Sequence, residues 1–176
     1  MPLSADDIRT AFDALSGELA KTQEQERAEF VVVGGAALVL LYGARQTTKD
    51  VDAYFVRPSA AVVRNAASRV SGTLELPPDW LNDGAKAYLV QVTDGPVLYE
   101  SEFLLVRAPS IVQLLAMKLA AWRDDIDRKD ARLLLSKVHG TFEEVRAQIE
   151  PLVLPNQRDK ASYAFEDLWE SVHGSA

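Results

Sequence analysis

The chain has 176 residues, 48% hydrophobic and 26% charged, the composition of one globular domain with a proper core and room for a small helical appendage. It contains no cysteine, which excludes disulfides, thiolate metal sites and a cysteine nucleophile. The net charge of −7 argues against a broad nucleic-acid-binding surface, but the acidity is concentrated in residues 1–30 and 143–176, so a local basic cleft in the near-neutral middle stays open.

The N-terminal "MPLSADDIRTAF" lacks the basic start and apolar core of a signal peptide. No apolar stretch reaches the roughly 18 residues of a membrane helix. A soluble, cytoplasmic protein with no membrane partner is expected. Ser4 with Asp7 resembles a capping box, and Ile8, Phe12, Leu15 and Leu19 recur at helical spacing, which predicts a first helix to about residue 28. The β-branched run "FVVV" (30–33), stopped by glycines, predicts a short buried strand. Gly35 to Leu41 is too apolar for a surface loop and predicts two helical turns, with Gly43 as the stop. "KDVDAYFV" (49–56) alternates and predicts a second strand, and Pro58 opens a helix through about Val70.

"ELPPDWLNDG" (75–84) has the composition of a loop, and strands over 86–93 and 97–107, joined by "TDGP", are expected to follow. From Ser110 on the pattern is helical. Ser110 with Gln113 and Thr141 with Glu144 match capping boxes, and a last helix over about 157–172 puts Phe165, Leu168, Trp169 and Val172 on one face. The order implies an α/β core with a small mixed sheet of about four strands in residues 1–108. A helical part, 109–176, is expected to pack on it as a single compact unit.

Two features of residues 30–56 point to chemistry. Residues two apart in a strand share a face, so Asp50 and Asp52 project together. Neighbouring carboxylates repel unless a cation lies between them, and the arrangement suits Mg²⁺, which takes one or two carboxylates plus substrate phosphates. The structural alternative is a strand end whose aspartates sit in solvent or pair with Lys49 and Arg45. Gly34-Gly35, between strand and helix, lets the backbone approach a ligand and offers helix-end N–H groups to phosphate; the alternative is a tight turn with no ligand.

On a helix over 111–122, Ile111, Leu114, Leu115, Leu119 and Trp122 form an apolar stripe with Lys118 in its middle. A lysine there must snorkel out, pair with a buried acid or point into a polar cleft. From residue 127, Asp127 and Asp130 begin an inward-facing stripe with Ala131, Leu134, Leu135 and Val138, unless Asp127 is an N-cap.

Gly-Gly, a short helix and then Asp-x-Asp on a strand resemble the signature of the nucleotidyltransferase superfamily with the polymerase-β-like fold. "VVVGGAALVLLYGARQTTKDVDAYFV" looks specifically like the bacterial branch containing the AbiEii-type toxins, where Gly-Gly, an apolar helix, Gly and Arg precede Thr-x-Asp-h-Asp. "LLAMKLAAWRDDIDRKDARLLL" (114–135) is similar to that branch's second signature, a Lys on one helix and an Asp near the start of the next, which singles out Lys118 and Asp130.

The resemblance implies a Mg²⁺-dependent transfer of a nucleoside monophosphate from an NTP. Asp50 and Asp52 would hold the metal, Gly34 and Gly35 would seat the triphosphate, Lys118 would neutralise charge, and Asp130 would orient Lys118 or act as base. Arg45, Thr47 and Thr48 lie in the approach to the acids and are candidates for triphosphate binding, against a solvated loop. The superfamily's third acid, on a following strand, has no clear counterpart; Glu100 and Glu102 are candidates. Tyr42, Tyr54, Trp80 and Trp122 are better read as core than as base-stacking residues, and His139 and His173 receive no role. The resemblance also implies an RNA acceptor, tRNA first, for a toxin with a cognate antitoxin protein as partner. The rival readings are a catalytically silent module, such as an antitoxin or nucleotide sensor, and a small-molecule nucleotidyltransferase.

Overall fold

In the computed structural model, which describes residues 2–22 and 26–174, the chain forms two units: Met1–Ala87 with Asp94–Ala108, and Tyr88–Thr93 with Pro109–Ala176. The first unit holds, in order, β1 (Leu3–Ser4), α1 (Ala5–Leu19), β2 (Ala28–Val32), α2 (Gly34–Tyr42), β3 (Thr47–Thr48), β4 (Val51–Arg57), α3 (Ala60–Leu74), β5 (Leu81–Asn82), β6 (Val97–Glu100) and β7 (Leu104–Arg107). The second holds α4 (Ile111–Ala121), α5 (Asp125–Leu135), α6 (Phe142–Ile149) and α7 (Arg158–His173). The fold is α/β, as the element order predicts, with a mixed sheet ordered β5-β4-β2-β7-β6. Among the described residues no helix is long and apolar enough to cross a membrane.

β2 is central and fully buried, antiparallel to β4 and parallel to β7; β5 joins β4 in parallel, and β6 closes the far edge antiparallel to β7. The sheet therefore has five strands rather than four: residues 97–107 supply two, residues 86–93 supply none, and the two-residue β5 is too short to leave an alternation signal. Phe12 of α1, Phe30 of β2 and Trp80 before β5 are fully buried. Phe12 contacts the rings of Trp80 and Tyr99, and the Trp80 indole N–H donates to Ala67 O at 3.1 Å. Each such buried aromatic contributes roughly 1.5–3 kcal/mol from its apolar area.

Several boundaries differ from the sequence expectation. α1 begins with the expected Ser4–Asp7 capping box but ends at Leu19, where the apolar stripe runs out; of the expected extension to 28, residues 23–25 lie outside the described residues. β4 starts at Val51, one residue after Asp50, because the Thr48 hydroxyl donates to Asp50 O at 3.2 Å and holds a turn there. Residues 86–93 form no strand: a 3-10 helix runs over Gly84–Tyr88, and Gln113 binds Thr93 and the Gln91 carbonyl through its side chain. The expected strand 97–107 is instead a hairpin, since the Ser101 N–H and hydroxyl both donate to Leu104 O and fold the chain back. α3 runs on to Leu74, four residues past the expected end.

In the second unit, Leu114, Leu115, Leu119, Leu134, Phe165 and Leu168 are buried, and Phe142 stacks on Phe165 at 5.0 Å. The Thr141–Glu144 capping box is complete, whereas Ser110 caps α4 but Gln113 does not reciprocate. Trp122 is not the last residue of the α4 stripe. It terminates the helix in the left-handed conformation.

Candidate functional site

Because β2 and β4 run antiparallel, the end of β2 lies beside the beginning of β4. Val32 pairs with Ala53, and the Val33 N–H donates to Asp52 O at 2.9 Å. The chain turns at once into α2, with Gly34 at φ +62, a conformation glycine adopts without strain. A Cβ on Gly34 would lie 3.4 Å from Asp52 Oδ2, so helix start and carboxylate are neighbours. A Cβ on Gly35 would lie 2.7 Å from Thr48 Oγ1 and 3.3 Å from Arg45 Nη1. Thr48 is buried and cannot move aside freely, so only glycine fits. α2 has no side-chain cap, which leaves its first N–H groups without a side-chain acceptor.

The structure thus brings together Gly34, Gly35, Arg45, Thr48 and Asp52 around the start of α2, with Asp50 just before β4. Thr47, adjacent to Thr48 in β3, projects the opposite way and pairs with Ser4 of β1. Burial pushes the Asp50 carboxyl above its ordinary range, and the charge of Asp52 and, more weakly, Asp79 add to the effect, with Lys49 opposing. Among the described residues no salt bridge reaches Asp50 or Asp52. Two half-buried carboxylates sharing one end of a strand, with only oxygen donors, fit a hard divalent cation that would relieve their repulsion.

Neither glutamate joins them. Glu100 lies on β6, separated from β4 by β2 and β7, and binds Arg27 at 2.9 Å; Glu102 is exposed in the hairpin turn. The strand bonded to β4 presents Asn82, an amide, in register with Asp52. Among the described residues no group of three His, Cys, Asp or Glu is arranged to hold a metal. Asp79 and Asn82 escaped sequence reasoning because "PPDWLND" has the composition of a loop, and only the β4–β5 ladder reveals its position. Trp80 is core, as expected, while Tyr42 and Tyr54 are half-buried.

In the second unit Lys118 pairs with a buried acid, the second of its three options. Its Nζ lies 2.9 Å from Asp127 Oδ1 and 2.8 Å from Asp130 Oδ2, and both carboxylates are buried. The N-cap of α5 is Asp124, accepting from the Asp127 N–H at 2.9 Å, so Asp127 sits inside the first turn. The Arg123 backbone N–H also donates to Asp127 Oδ2, at 3.2 Å. Burial alone would raise the Asp127 carboxyl, but the hydrogen bond and charge of Lys118, with Arg123, hold it below its usual value.

No curated protein and no solved structure matches the chain. A family model does match, over residues 10–139, a span that contains the glycine pair, both aspartates at the start of β4 and the Lys118 triad. The chain belongs to that family, described as "Nucleotidyltransferase of unknown function (DUF6036)".

Proposed function

We propose that the protein transfers a nucleoside monophosphate from an NTP to an acceptor. The observation that carries this reading is the convergence of the uncapped start of α2 with Asp52, Thr48 and Arg45, inside the span matched by a nucleotidyltransferase family. The N–H groups of Gly34 and Gly35 bind the anionic phosphates, and the Arg45 guanidinium adds a charged donor on the same side. Thr48 packs against Gly35 and holds the turn that presents Asp50. Asp50 and Asp52 hold Mg²⁺, which when bound neutralises phosphate charge and orients the α-phosphate. An acceptor oxygen then attacks the α-phosphorus, the bond to the bridging oxygen breaks, pyrophosphate leaves, and the acceptor's proton passes to solvent water. Lys118 is proposed to offset charge on the transferring group, with Asp130 orienting it; the 2.8 Å contact between them supports the orienting role.

The resemblance to AbiEii-type toxins supports an RNA acceptor, tRNA first, and a cognate antitoxin as partner. A second reading, a nucleotide-binding module without transfer, is favoured by one observation: an amide, Asn82, stands in register with Asp52 where a third acid would complete the set. The test is incubation with each α-labelled NTP, with and without Mg²⁺ and total RNA. Label should move onto RNA only with the metal, and Asp52→Asn should cut transfer roughly a thousandfold with little change in melting temperature. A Mg²⁺-dependent NTP shift of the melting temperature without labelling would establish the binding module instead. An Asp52→Asn variant that stays active would remove the pair from the chemistry.

A further inference from the structure

The turn between α4 and α5 carries a feature that the transfer chemistry does not use. Trp122 closes α4 at φ 32, a left-handed conformation that bulky residues rarely adopt, and its N–H donates to Lys118 O at 2.9 Å. The ring is half-buried, and the Arg128 guanidinium carbon lies 5.7 Å from its centroid, within cation–π range. Two side chains beside it, Arg123 and Arg128, are 75% and 61% exposed, and Lys129 and Ile126 are exposed as well.

The acids of the same stretch are differently placed. Asp127 and Asp130 are turned inward on Lys118, with Arg123 Nε also 3.3 Å from Asp127 Oδ2, while Asp124, which caps α5, and Asp125, which faces Arg128, are exposed. In a chain of net charge −7, this turn therefore presents three exposed cations around an aromatic–guanidinium platform. The strained backbone fixes this half-exposed ring at the helix end, where it can meet a ligand.

We infer that this turn docks a single-stranded RNA segment, with an unpaired base stacking on the Trp122–Arg128 pair and neighbouring phosphates on Arg123 and Lys129. A base inside a duplex is already stacked on both sides, so the platform selects an unpaired one. Asp125, 3.9 Å from Arg128, supplies an acceptor that a 2′-hydroxyl can use and a deoxyribose cannot. The inference rests on the transfer reading in one respect, that the docked RNA is then the acceptor.

The test is fluorescence anisotropy of the full chain with a short unstructured RNA, the matching single-stranded DNA and a blunt RNA hairpin, at two salt concentrations. The single-stranded RNA should bind best. Trp122→Gly, which suits the left-handed backbone, should weaken it about tenfold while leaving its salt dependence alone. Arg123→Gln with Lys129→Gln should flatten the salt dependence by roughly 0.7 per charge removed. Should Trp122→Gly lower the melting temperature, Arg128→Gln, on an exposed side chain, carries the same expectation of weaker RNA binding. Unchanged binding in both variants, a preference for the hairpin or the DNA, or no binding at all overturns the surface. RNA bound through Trp122 with no label transferred overturns only the transfer reading, and transfer that ignores Trp122 and Arg128 overturns only the surface.

Discussion

Asp50 and Asp52 stand at the start of β4, half-buried, with no salt bridge among the described residues, and Asp50 is harder to ionise than an ordinary carboxyl. Asp127 and Asp130 stand one turn apart in α5, more deeply buried, yet Asp127 is easier to ionise than usual. The difference is Lys118, whose ammonium lies within 3 Å of both acids in α5. A carboxylate pair is costly to desolvate. In α5 the chain supplies the compensating charge itself, whereas at β4 it leaves that charge to be supplied from outside. An acid pair neutralised from within reads first as architecture, and one left repelling reads first as a binding site.

The sharpest break of that comparison is to remove the internal cation. Lys118→Met should destabilise the protein by roughly 3–5 kcal/mol, because two buried carboxylates lose the ammonium they share. Chemical denaturation measures it. Adding Asp127→Asn and Asp130→Asn should recover part of the loss, since the charges that needed Lys118 are gone. Equal stability of Lys118→Met and the parent would mean that the triad is not a structural unit.

Glycine 35 tests the β4 side. Gly35→Ala places a methyl group 2.7 Å from Thr48 Oγ1, so Thr48 or α2 must shift. Overpacking of this kind costs roughly 1–3 kcal/mol, less than the broken triad. Thermal melts should show a modest drop, and the NTP-dependent shift with Mg²⁺ should vanish because the helix start moves. Thr48→Ala in the same chain should recover part of the melting temperature, short of what the lost Thr48–Asp50 hydrogen bond contributes. If Gly35→Ala keeps the full NTP shift, phosphate does not sit at the start of α2.

How much of this was legible beforehand follows from the range of the forces involved. The strand, glycines, helix and stop over residues 30–43 are local, written in β-branching, in φ and in apolar runs, and they appear where expected. The inward stripe of Asp127 and Asp130 is also local, and so is the lysine facing it; what spacing alone left undecided was whether the three meet. Residues 86–93 form no strand because Gly84–Tyr88 closes into a 3-10 helix and the backbone of Gln91 and Thr93 is met by the side chain of Gln113, twenty-odd positions away. Glu100 and Glu102 looked eligible as a third acid because strand order in a sheet is invisible to sequence; β6 falls at the edge remote from β4. Trp122 fitted the apolar stripe by angle, but the helix ends under it.

The smallest effect, and the one with opposite signs at the two pairs, is the response to pH in the presence of a chelator. The Asp127 carboxyl is held below its unfolded value of about 3.9. Its contribution is therefore fully present above that pH and is lost as pH falls through the lower, folded value. Asp50 is displaced upward, so the native state takes up its proton before the unfolded chain does. Between the unfolded and folded values the native state binds more protons, and stability falls as pH rises through that window. Asp50→Asn should thus raise the melting temperature at neutral pH and change nothing well below pH 4, while Asp127→Asn should lower it at neutral pH and converge with the parent in acid. Melts of both variants from acid to neutral pH measure the two curves. Adding Mg²⁺ should erase the Asp50→Asn advantage at neutral pH by stabilising the parent, because the cation then does at β4 what Lys118 does at α5. A parent whose melting temperature ignores Mg²⁺ across that range would leave the β4 pair as a solvated strand end.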